Sequence, residues 1–255
     1  MPKKKFGQNF LINESISKII VNLSNLKQKN VLEIGPGNLA LTKNIIKENP
    51  KKFIALEIDK DLIKKYKNTP FSKHLIDVDA LTFNELEIFK KKSFYIISNL
   101  PFNLSSKLLI KWLKIQNYFN CIDGMTLMFQ KELAERIIAK ENSKKYGRLT
   151  ILSNAFFSIE KKLDVKKDNF FPSPKIDTSV LKFTPLLKNK IKKQNLKNLE
   201  YITSFFFNER RKKNKKKIKK IFNSDKIKNY NLDIYYSLRP ENITKEIFYK
   251  MSEML

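Results

Sequence analysis

Apolar and polar positions alternate through the first 140 residues in short blocks that predict strands and amphipathic helices in turn. Apolar runs of four to six residues are typical of buried strands, and they occur at 31–34, 53–58, 75–78, 94–97 and 125–129. Apolar residues at helical spacing lie between them, over 16–23, 39–46, 61–66, 108–115 and from 130 to 137. This alternation predicts an α/β fold with a parallel sheet covered by helices.

The pattern changes beyond residue 140. A helix is predicted near 149–157, followed by two antiparallel strands at 161–165 and 179–183 around a proline-containing loop at 170–174. From Pro185 the chain is rich in Lys and Asn, has helical periodicity and shows few strand signals. We therefore predict a Rossmann-like domain over 1–184 and a small all-helical domain over 185–255.

The chain carries 52 Lys and Arg against 25 Asp and Glu, a net charge of +27 over 255 residues. Such an excess favours a polyanionic partner, with nucleic acid first and an anionic membrane surface second. Only five of these cations are Arg, and Asn, Ile and Phe are abundant. This bias is typical of an AT-rich genome, which enriches Lys on neutral surfaces, so the charge supports nucleic-acid binding without establishing it.

One Cys and one His, Cys121 and His74, exclude an internal disulfide and argue against a His/Cys metal site. No apolar run approaches the roughly 18 residues of a membrane span, and no apolar signal core follows Lys3, Lys4 and Lys5. We expect a cytoplasmic protein with no metal and no membrane association.

A glycine turn follows the first predicted strand. Gly35, Gly37 and Ala40 fit the spacing G-x-G-x-x-G/A, in which small residues let a ligand approach the backbone. Glu57 ends the second strand about 20 residues later, where a carboxylate can accept both ribose hydroxyls of an adenosine cofactor. A surface acid at a strand end is the alternative for Glu57, and this half of the chain suits a nicotinamide dinucleotide equally well.

The sequence Asn99-Leu100-Pro101-Phe102 directly follows the strand predicted at 94–97. The Asn side-chain carbonyl and the Leu100 carbonyl, directed by Pro101, can accept the two N–H groups of an exocyclic amine while Phe102 stacks on its ring. A strand that ends in a Pro-containing turn is the simpler interpretation. Asp79 follows the third strand and can accept from the adenine of a cofactor, or cap a helix, or both. A hydride-transfer enzyme has no use for the Asn-Leu-Pro-Phe motif, whereas an amine methyltransferase has.

With these motifs the chain resembles the ribosomal RNA adenine N6,N6-dimethyltransferases of the KsgA type. The motifs that carry the resemblance occur in family order and span about residues 3–252; they are FGQNFL at 6–11, EIGPG at 33–37, NLPF at 99–102, QKE at 130–132, YGRL at 146–149, FFPSPK at 170–175, FNERRK at 207–212 and RPENI at 239–243. Two departures are Leu39, where many members have a small residue, and Phe102, where Tyr is commoner.

The resemblance implies S-adenosyl-L-methionine as cofactor and two adjacent adenines of the 3′-terminal loop of small-subunit rRNA as substrate. It implies cofactor contacts from Asn9, Leu11, Gly35, Gly37, Glu57, Asp79 and Asn99, and a catalytic pocket formed by Asn99, Leu100, Pro101, Phe102 and Phe170. It also implies a monomer that binds the pre-30S particle. A Cys nucleophile is not needed, and Cys121 follows Asn120 rather than Pro.

A basic run occupies the C-terminal region, with nine cations in the eleven positions from 210 to 220. We expect it to bind rRNA phosphates through Arg210, Arg211, Lys212, Lys213, Lys215, Lys216 and Lys217, although a solvated helix face would show the same charge. Two alternative functions are left open: a methyltransferase of large-subunit rRNA of the macrolide-resistance type, and a non-catalytic assembly or RNA-binding factor of the same fold.

Overall fold

The computed structural model of the chain describes residues 7–255. Lys3, Lys4, Lys5 and Phe6 therefore lie outside the described residues. The chain forms two compact units: the first contains Met1–Ala134 and Ile159–Pro185, and the second contains Glu135–Ser158 and Leu186–Leu255.

The first unit is built on a sheet. Its helices and strands are β1 (Phe10–Leu11), α1 (Glu14–Asn22), β2 (Asn30–Ile34), α2 (Thr42–Lys47), β3 (Lys52–Glu57), α3 (Lys60–Tyr66), β4 (Leu75–Asp77), α4 (Glu85–Ile88), β5 (Phe94–Asn99), α5 (Ser105–Phe119), β6 (Ile122–Gln130), α6 (Lys131–Ile137), β7 (Phe157–Val165), β8 (Phe170–Phe171) and β9 (Thr178–Pro185). The last three residues of α6 and the first two of β7 belong to the second unit. Seven strands form one sheet in the order β4-β3-β2-β5-β6-β9-β7. The strands from β4 to β6 pair in parallel and β9 is antiparallel to β6, which confirms the predicted Rossmann-like α/β fold.

The register brings the carboxyl ends of the parallel strands to one edge of the sheet. Ile34 of β2 pairs with Leu56 of β3, and Glu57 at the end of β3 pairs with Asp77 of β4. Open α/β sheets bind ligands at this edge, because the loops that leave adjacent strands meet there. The glycine turn, Glu57, Asp79 and the Asn-Leu-Pro-Phe motif therefore share one end of the sheet.

Two local predictions differ from the structure, and one local feature was not predicted. The helix predicted over 39–46 begins later, at Thr42, because Leu39 adopts a left-handed conformation with φ of 66° in the turn that its N–H closes on the Pro36 carbonyl. The helix predicted near 149–157 is shorter, because β7 begins at Phe157. The two-stranded ribbon of β1 and β8 was not predicted, since each strand has only two residues and their pairing is long-range.

The second unit is helical. It contains α7 (Arg148–Asn154), α8 (Leu196–Asn208), α9 (Lys215–Ile221), α10 (Ser224–Asn229) and α11 (Lys245–Glu253). Phe206 and Phe248 pack edge to face in its core, with ring centroids 5.6 Å apart. The Tyr249 hydroxyl donates to the Ile151 carbonyl at 3.0 Å, which joins α11 to α7. Segment 135–158 thus belongs to this unit, and the division differs in this respect from the boundary predicted between residues 184 and 185.

One lysine of the basic run is part of this core. Lys217 is only 4% exposed, and its ammonium donates to the carbonyls of Phe206 at 2.9 Å, Glu209 at 2.8 Å and Lys212 at 3.4 Å. Burial lowers the pKa of Lys217. The three carbonyls lie at and beyond the C-terminal end of α8, where backbone acceptors lack helical partners. Lys217 therefore stabilises this chain reversal and is withdrawn from the predicted RNA-binding surface.

Replacing Lys217 with Met should destabilise the protein by about 1–3 kcal/mol, because buried carbonyls lose their donor. The matched control is Lys216→Met, which removes the same charge from the exposed neighbouring position and should change stability by less than about 0.5 kcal/mol. Urea unfolding of both variants measures the difference. Equal stability of the two variants would contradict the capping role.

Candidate cofactor and adenine site

A cavity of about 250 Å³ opens at the carboxyl ends of the parallel strands. It brings together most of the predicted site residues, namely Asn9, Gly35, Gly37, Glu57, Asp79, Asn99, Leu100, Pro101 and Phe102. These residues come from the N-terminal segment, the glycine turn and the ends of β3, β4 and β5. Five separate stretches of sequence thus converge on one pocket.

The glycine turn forms the inner wall of the cavity. Gly35 and Gly37 have φ of 63° and 55°, in the left-handed region that glycine adopts without strain. A Cβ on Gly37 would lie 2.8 Å from Cδ1 of Phe10, so no side chain fits there. Gly37 is thus required by the packing of Phe10, and both glycines line the cavity, where the turn can accommodate the methionine or ribose portion of a nucleoside cofactor.

Glu57 presents a fixed carboxylate to the cavity. It is 6% exposed, and its Oε1 accepts the N–H groups of Ile58 and Asp59, both at 2.9 Å. Burial raises the pKa of Glu57, and the backbone N–H groups of Asp59, Ile58 and Gly37 act in the opposite direction. These hydrogen bonds hold the carboxylate in one orientation at the end of β3, so it can accept from ribose hydroxyls without reorganisation.

The helix-capping alternative for Asp79 is wrong, since Asn84 caps the next helix, α4. Asp79 lies in the loop after β4. Its Oδ1 accepts the N–H of Leu81 at 2.8 Å, which stabilises a turn, and the residue also lines the cavity. The turn orients the carboxylate while leaving its second oxygen available, so an adenine amino group can donate to it.

Asn99 has an orphaned acceptor. Its Nδ2 donates to the carbonyl of Asn9 at 2.9 Å, which fixes the orientation of the amide. Its Oδ1 is buried and, within residues 7–255, has no hydrogen-bond partner. Buried polar atoms are nearly always paired, and a buried acceptor without a partner costs about 1–3 kcal/mol. The Oδ1 of Asn99 is therefore free to accept a hydrogen bond from a ligand donor.

The three residues that follow Asn99 complete this wall. Leu100 is fully buried, while Pro101 and Phe102 are half-buried and line the cavity. The Phe102 carbonyl accepts the Ser105 hydroxyl at 3.0 Å at the start of α5. Phe102 therefore lies in a turn that this hydrogen bond stabilises, and it lines the same cavity as Asn99.

Phe170 does not line this cavity, in contrast to the prediction, and Leu11 lines instead a smaller pocket that shares Gly35, Gly37 and Asn99 with it. They pair with each other across β1 and β8 and belong to the hydrophobic core, with exposures of 2% and 3%. The ring of Phe170 is thus unavailable for stacking in this conformation, because its strand alternation directs it inward. Its neighbour Phe171 is 60% exposed.

Sequence reasoning missed two polar residues at the site. Gln8 lines the cavity and donates through Nε2 to Oδ2 of Asp59 at 2.9 Å. Glu33, beneath the glycine turn, is 2% exposed and accepts the Thr42 hydroxyl at 2.7 Å; burial raises its pKa to about 8. An acid inside an otherwise apolar strand was the available signal for Glu33.

The basic run divides into structural and exposed residues. Besides the buried Lys217, Arg210 pairs through Nε with Glu241 at 3.2 Å and donates to the Tyr146 carbonyl at 3.2 Å. The exposed cations are Arg211, Lys212, Lys213, Lys215, Lys216, Lys219 and Lys220. Lys220 and Lys219 lie 5.6 Å and 5.9 Å from the ring centroids of Phe205 and Tyr236.

Neither a membrane-crossing helix nor a cluster of metal-ligating side chains occurs within residues 7–255. The fold is that of a Rossmann-like methyltransferase, and its site brings together a glycine turn, a strand-end acid and the Asn-Leu-Pro-Phe motif.

Comparison with known proteins identifies the family. The family model described as "Ribosomal RNA adenine dimethylase" matches residues 2–255. Ribosomal RNA small subunit methyltransferase A of Pelagibacter ubique is 42% identical over 253 residues, which covers 98% of this chain and 95% of that protein. The Wolbachia sp. (Drosophila simulans) protein of the same name is 40% identical over 252 residues, covering 97% and 91%.

Solved structures of related methyltransferases have a similar fold. A dimethyladenosine transferase from Plasmodium falciparum superposes with a TM-score of 0.76 at 25% identity, covering 95% of both chains. The 23S rRNA methyltransferase ErmE shares the fold, with a TM-score of 0.71 at 20% identity over 97% of this chain and 99% of that one. The chain belongs to the ribosomal RNA adenine dimethylase family. It is therefore an rRNA adenine dimethyltransferase that uses S-adenosyl-L-methionine.

Replacing Glu57 with Ala should weaken S-adenosyl-L-methionine binding by about 1–3 kcal/mol, because the ribose hydroxyls lose a charged acceptor. The control is Asp77→Ala, at the end of the adjacent strand, where the side chain is exposed and pairs with Lys60. Calorimetric titration of both variants measures the effect. Unchanged affinity in the Glu57 variant would remove the ribose assignment.

Proposed function

We propose that this enzyme dimethylates N6 of two adjacent adenines in the 3′-terminal hairpin loop of small-subunit rRNA during assembly of the 30S subunit. Relatives at about 40% identity over nearly the whole chain carry the small-subunit name. The observation that carries the catalytic part of the proposal is the orphaned Oδ1 of Asn99 on the cavity wall.

Asn99 and Leu100 act on the adenine amine. The lone pair of N6 is delocalised into the ring, so the nitrogen is a weak nucleophile. Acceptance of its two N–H groups by Asn99 Oδ1 and the Leu100 carbonyl favours a pyramidal nitrogen and stabilises the positive charge that develops on it. S-adenosyl-L-methionine supplies an electrophilic methyl group when bound. The residues need only hold N6 in line with it.

Phe102 holds the base. An adenine must leave its stack to enter the pocket, and an aromatic face compensates for the lost stacking. A loop adenine is extruded at lower cost than one within a duplex. The half-buried ring of Phe102 at the cavity supports this role. For Phe170 the burial of the ring supports a packing role behind Leu11 instead.

We assign the residues that bind the cofactor from the lining of the same cavity. Gly35 and Gly37 allow close approach, Glu57 accepts from the ribose and Asp79 accepts from the adenine amino group. Asn9 contributes through its backbone, since its carbonyl orients Asn99. Leu11 acts on the cofactor site indirectly. Its carbonyl accepts a hydrogen bond from Asn38 Nδ2 at 2.7 Å, which connects β1 to the glycine turn.

The exposed cations of segment 211–220 form the proposed rRNA-binding surface: Arg211, Lys212, Lys213, Lys215, Lys216, Lys219 and Lys220. Their exposure and their shared sign support phosphate binding. Arg210 has a structural role beside this surface, since its guanidinium pairs with Glu241. We further propose that the enzyme works as a monomer in the cytoplasm, where pre-30S particles assemble.

Nucleoside mass spectrometry tests the substrate. Unmethylated small and large subunits are incubated separately with the enzyme and S-adenosyl-L-methionine, and dimethyladenosine is mapped in each rRNA. We expect it in the 3′-terminal loop of the small-subunit rRNA and not in the large-subunit rRNA, because surfaces outside the pocket select the target. Dimethyladenosine in large-subunit rRNA would favour the resistance-type activity, and its absence from both would favour a non-catalytic assembly factor.

The basic surface is tested through salt dependence. Changing Lys213, Lys215, Lys216, Lys219 and Lys220 to Gln should weaken binding to the small subunit and reduce the salt slope by about 0.7–0.9 for each phosphate that the variant no longer neutralises. The control changes five other exposed lysines of the helical unit, Lys188, Lys190, Lys192, Lys193 and Lys197, to Gln. If both variants show the same slope, the segment is only a solvated face.

A further inference from the structure

A buried ion pair lies outside the residues assigned so far. Lys111 on α5 contacts Oε2 of Glu85 at 2.9 Å, and the two side chains are 21% and 1% exposed. The Trp112 Nε1 group, itself fully buried, donates to Oε1 of Glu85 at 3.0 Å. Both carboxylate oxygens of Glu85 therefore have a partner, and neither the cofactor nor the adenine assignment uses them.

The lysine also reaches the loop that carries Asp79. Lys111 Nζ donates to the Ala80 carbonyl at 2.7 Å and to the Phe83 carbonyl at 2.6 Å. With Glu85, these carbonyls use the three N–H donors that an ammonium group has. Loop 79–84 lacks regular secondary structure apart from turns, so these contacts constrain it directly.

The constrained loop forms part of the cavity wall and carries Asp79, the proposed acceptor for the cofactor adenine. Asp79 and Ala80 both line the cavity. Within the loop, the Asp79 carbonyl accepts the N–H groups of Thr82 and Phe83, and its Oδ1 accepts that of Leu81. A shift of the Ala80 or Phe83 carbonyl would therefore rotate the Asp79 carboxylate, because all of these groups belong to one hydrogen-bonded turn.

We propose that the Lys111–Glu85 pair is a positioning device that sets the preference of this enzyme for an adenine cofactor. It locks loop 79–84 so that the Asp79 carboxylate faces the adenine amino group. Helix α5 begins three residues after the Asn-Leu-Pro-Phe motif and carries Lys111. One helix is therefore connected both to the proposed adenine-binding motif and to the loop that carries Asp79. The inference rests on the proposed role of Asp79.

The experiment uses calorimetry to compare the binding of S-adenosyl-L-homocysteine, the product of the cofactor, with that of its analogue S-inosyl-L-homocysteine. Inosine carries a carbonyl where adenine carries the amino donor, so it offers Asp79 an acceptor instead. A site built to bond a donor rejects an analogue that lacks it, and we expect the wild-type protein to prefer the adenosyl compound at least about tenfold, or about 1.4 kcal/mol.

The test variant is Lys111→Met with Glu85→Gln, which removes the pair without leaving an unpaired buried charge. We expect adenosyl binding to fall about tenfold and the preference to fall to about threefold or less. The kcat at saturating cofactor should change less than about threefold, because Asn99 and Leu100 are untouched. Lys107→Met, at an exposed position of the same helix, is the control and should retain both affinity and preference.

The outcomes separate the two assignments. A wild-type preference that persists unchanged in the folded double variant overturns the positioning role and leaves Asp79 in place. A wild-type protein without any preference overturns the assignment of Asp79, and the inference with it. Should the double variant not fold, Lys111→Arg serves instead, because a planar guanidinium keeps the pair with Glu85 but cannot reproduce the three-way ammonium geometry; an intact preference in that variant also overturns the role.

Discussion

The hydrogen bond from Asn99 Nδ2 to the carbonyl of Asn9 is the interaction on which the site depends. An amide side chain has one donor end and one acceptor end, and this bond decides which of them faces the cavity. With the donor end bound to backbone, only the buried Oδ1 remains, and it is unpartnered within residues 7–255. The unmade hydrogen bond is a cost to the folded protein, and in the mechanism that we propose an adenine amine offsets it by donating to Oδ1.

The same bond requires two distant parts of the chain to fold correctly. Asn9 precedes β1, which pairs with β8, and Asn99 ends β5 in the main sheet. Phe10, next to Asn9, covers Gly37 so closely that the glycine cannot carry a side chain. The N-terminal segment is therefore part of the pocket, and the glycine turn is shaped by that segment as well as by its own backbone.

The features predicted from sequence were those encoded locally. The glycine turn, Glu57 and the Asn-Leu-Pro-Phe motif each follow a recognisable strand, and parallel strands bring their ends together without further information. The features that sequence reasoning missed depend on how the folded backbone places groups around a residue, which the residue type does not show. In the sequence Lys217 does not differ from the other lysines of the basic run, and only the structure shows three carbonyls at the end of α8 around its ammonium group. Likewise, only the pairing of β8 with β1 shows that Phe170, and not the adjacent Phe171, is buried. The left-handed Leu39 was missed because its type favours helix.

The most direct test of this account is single-turnover methylation of unmethylated small subunits by Asn99→Ala. We expect the rate to be lower by about 10²–10³, the scale for loss of one preorganised polar group, with a smaller change in cofactor affinity. Asn30→Ala, the same substitution at the opposite edge of the sheet, should keep the wild-type rate. A near-normal rate in the Asn99 variant would contradict the central role of its oriented acceptor.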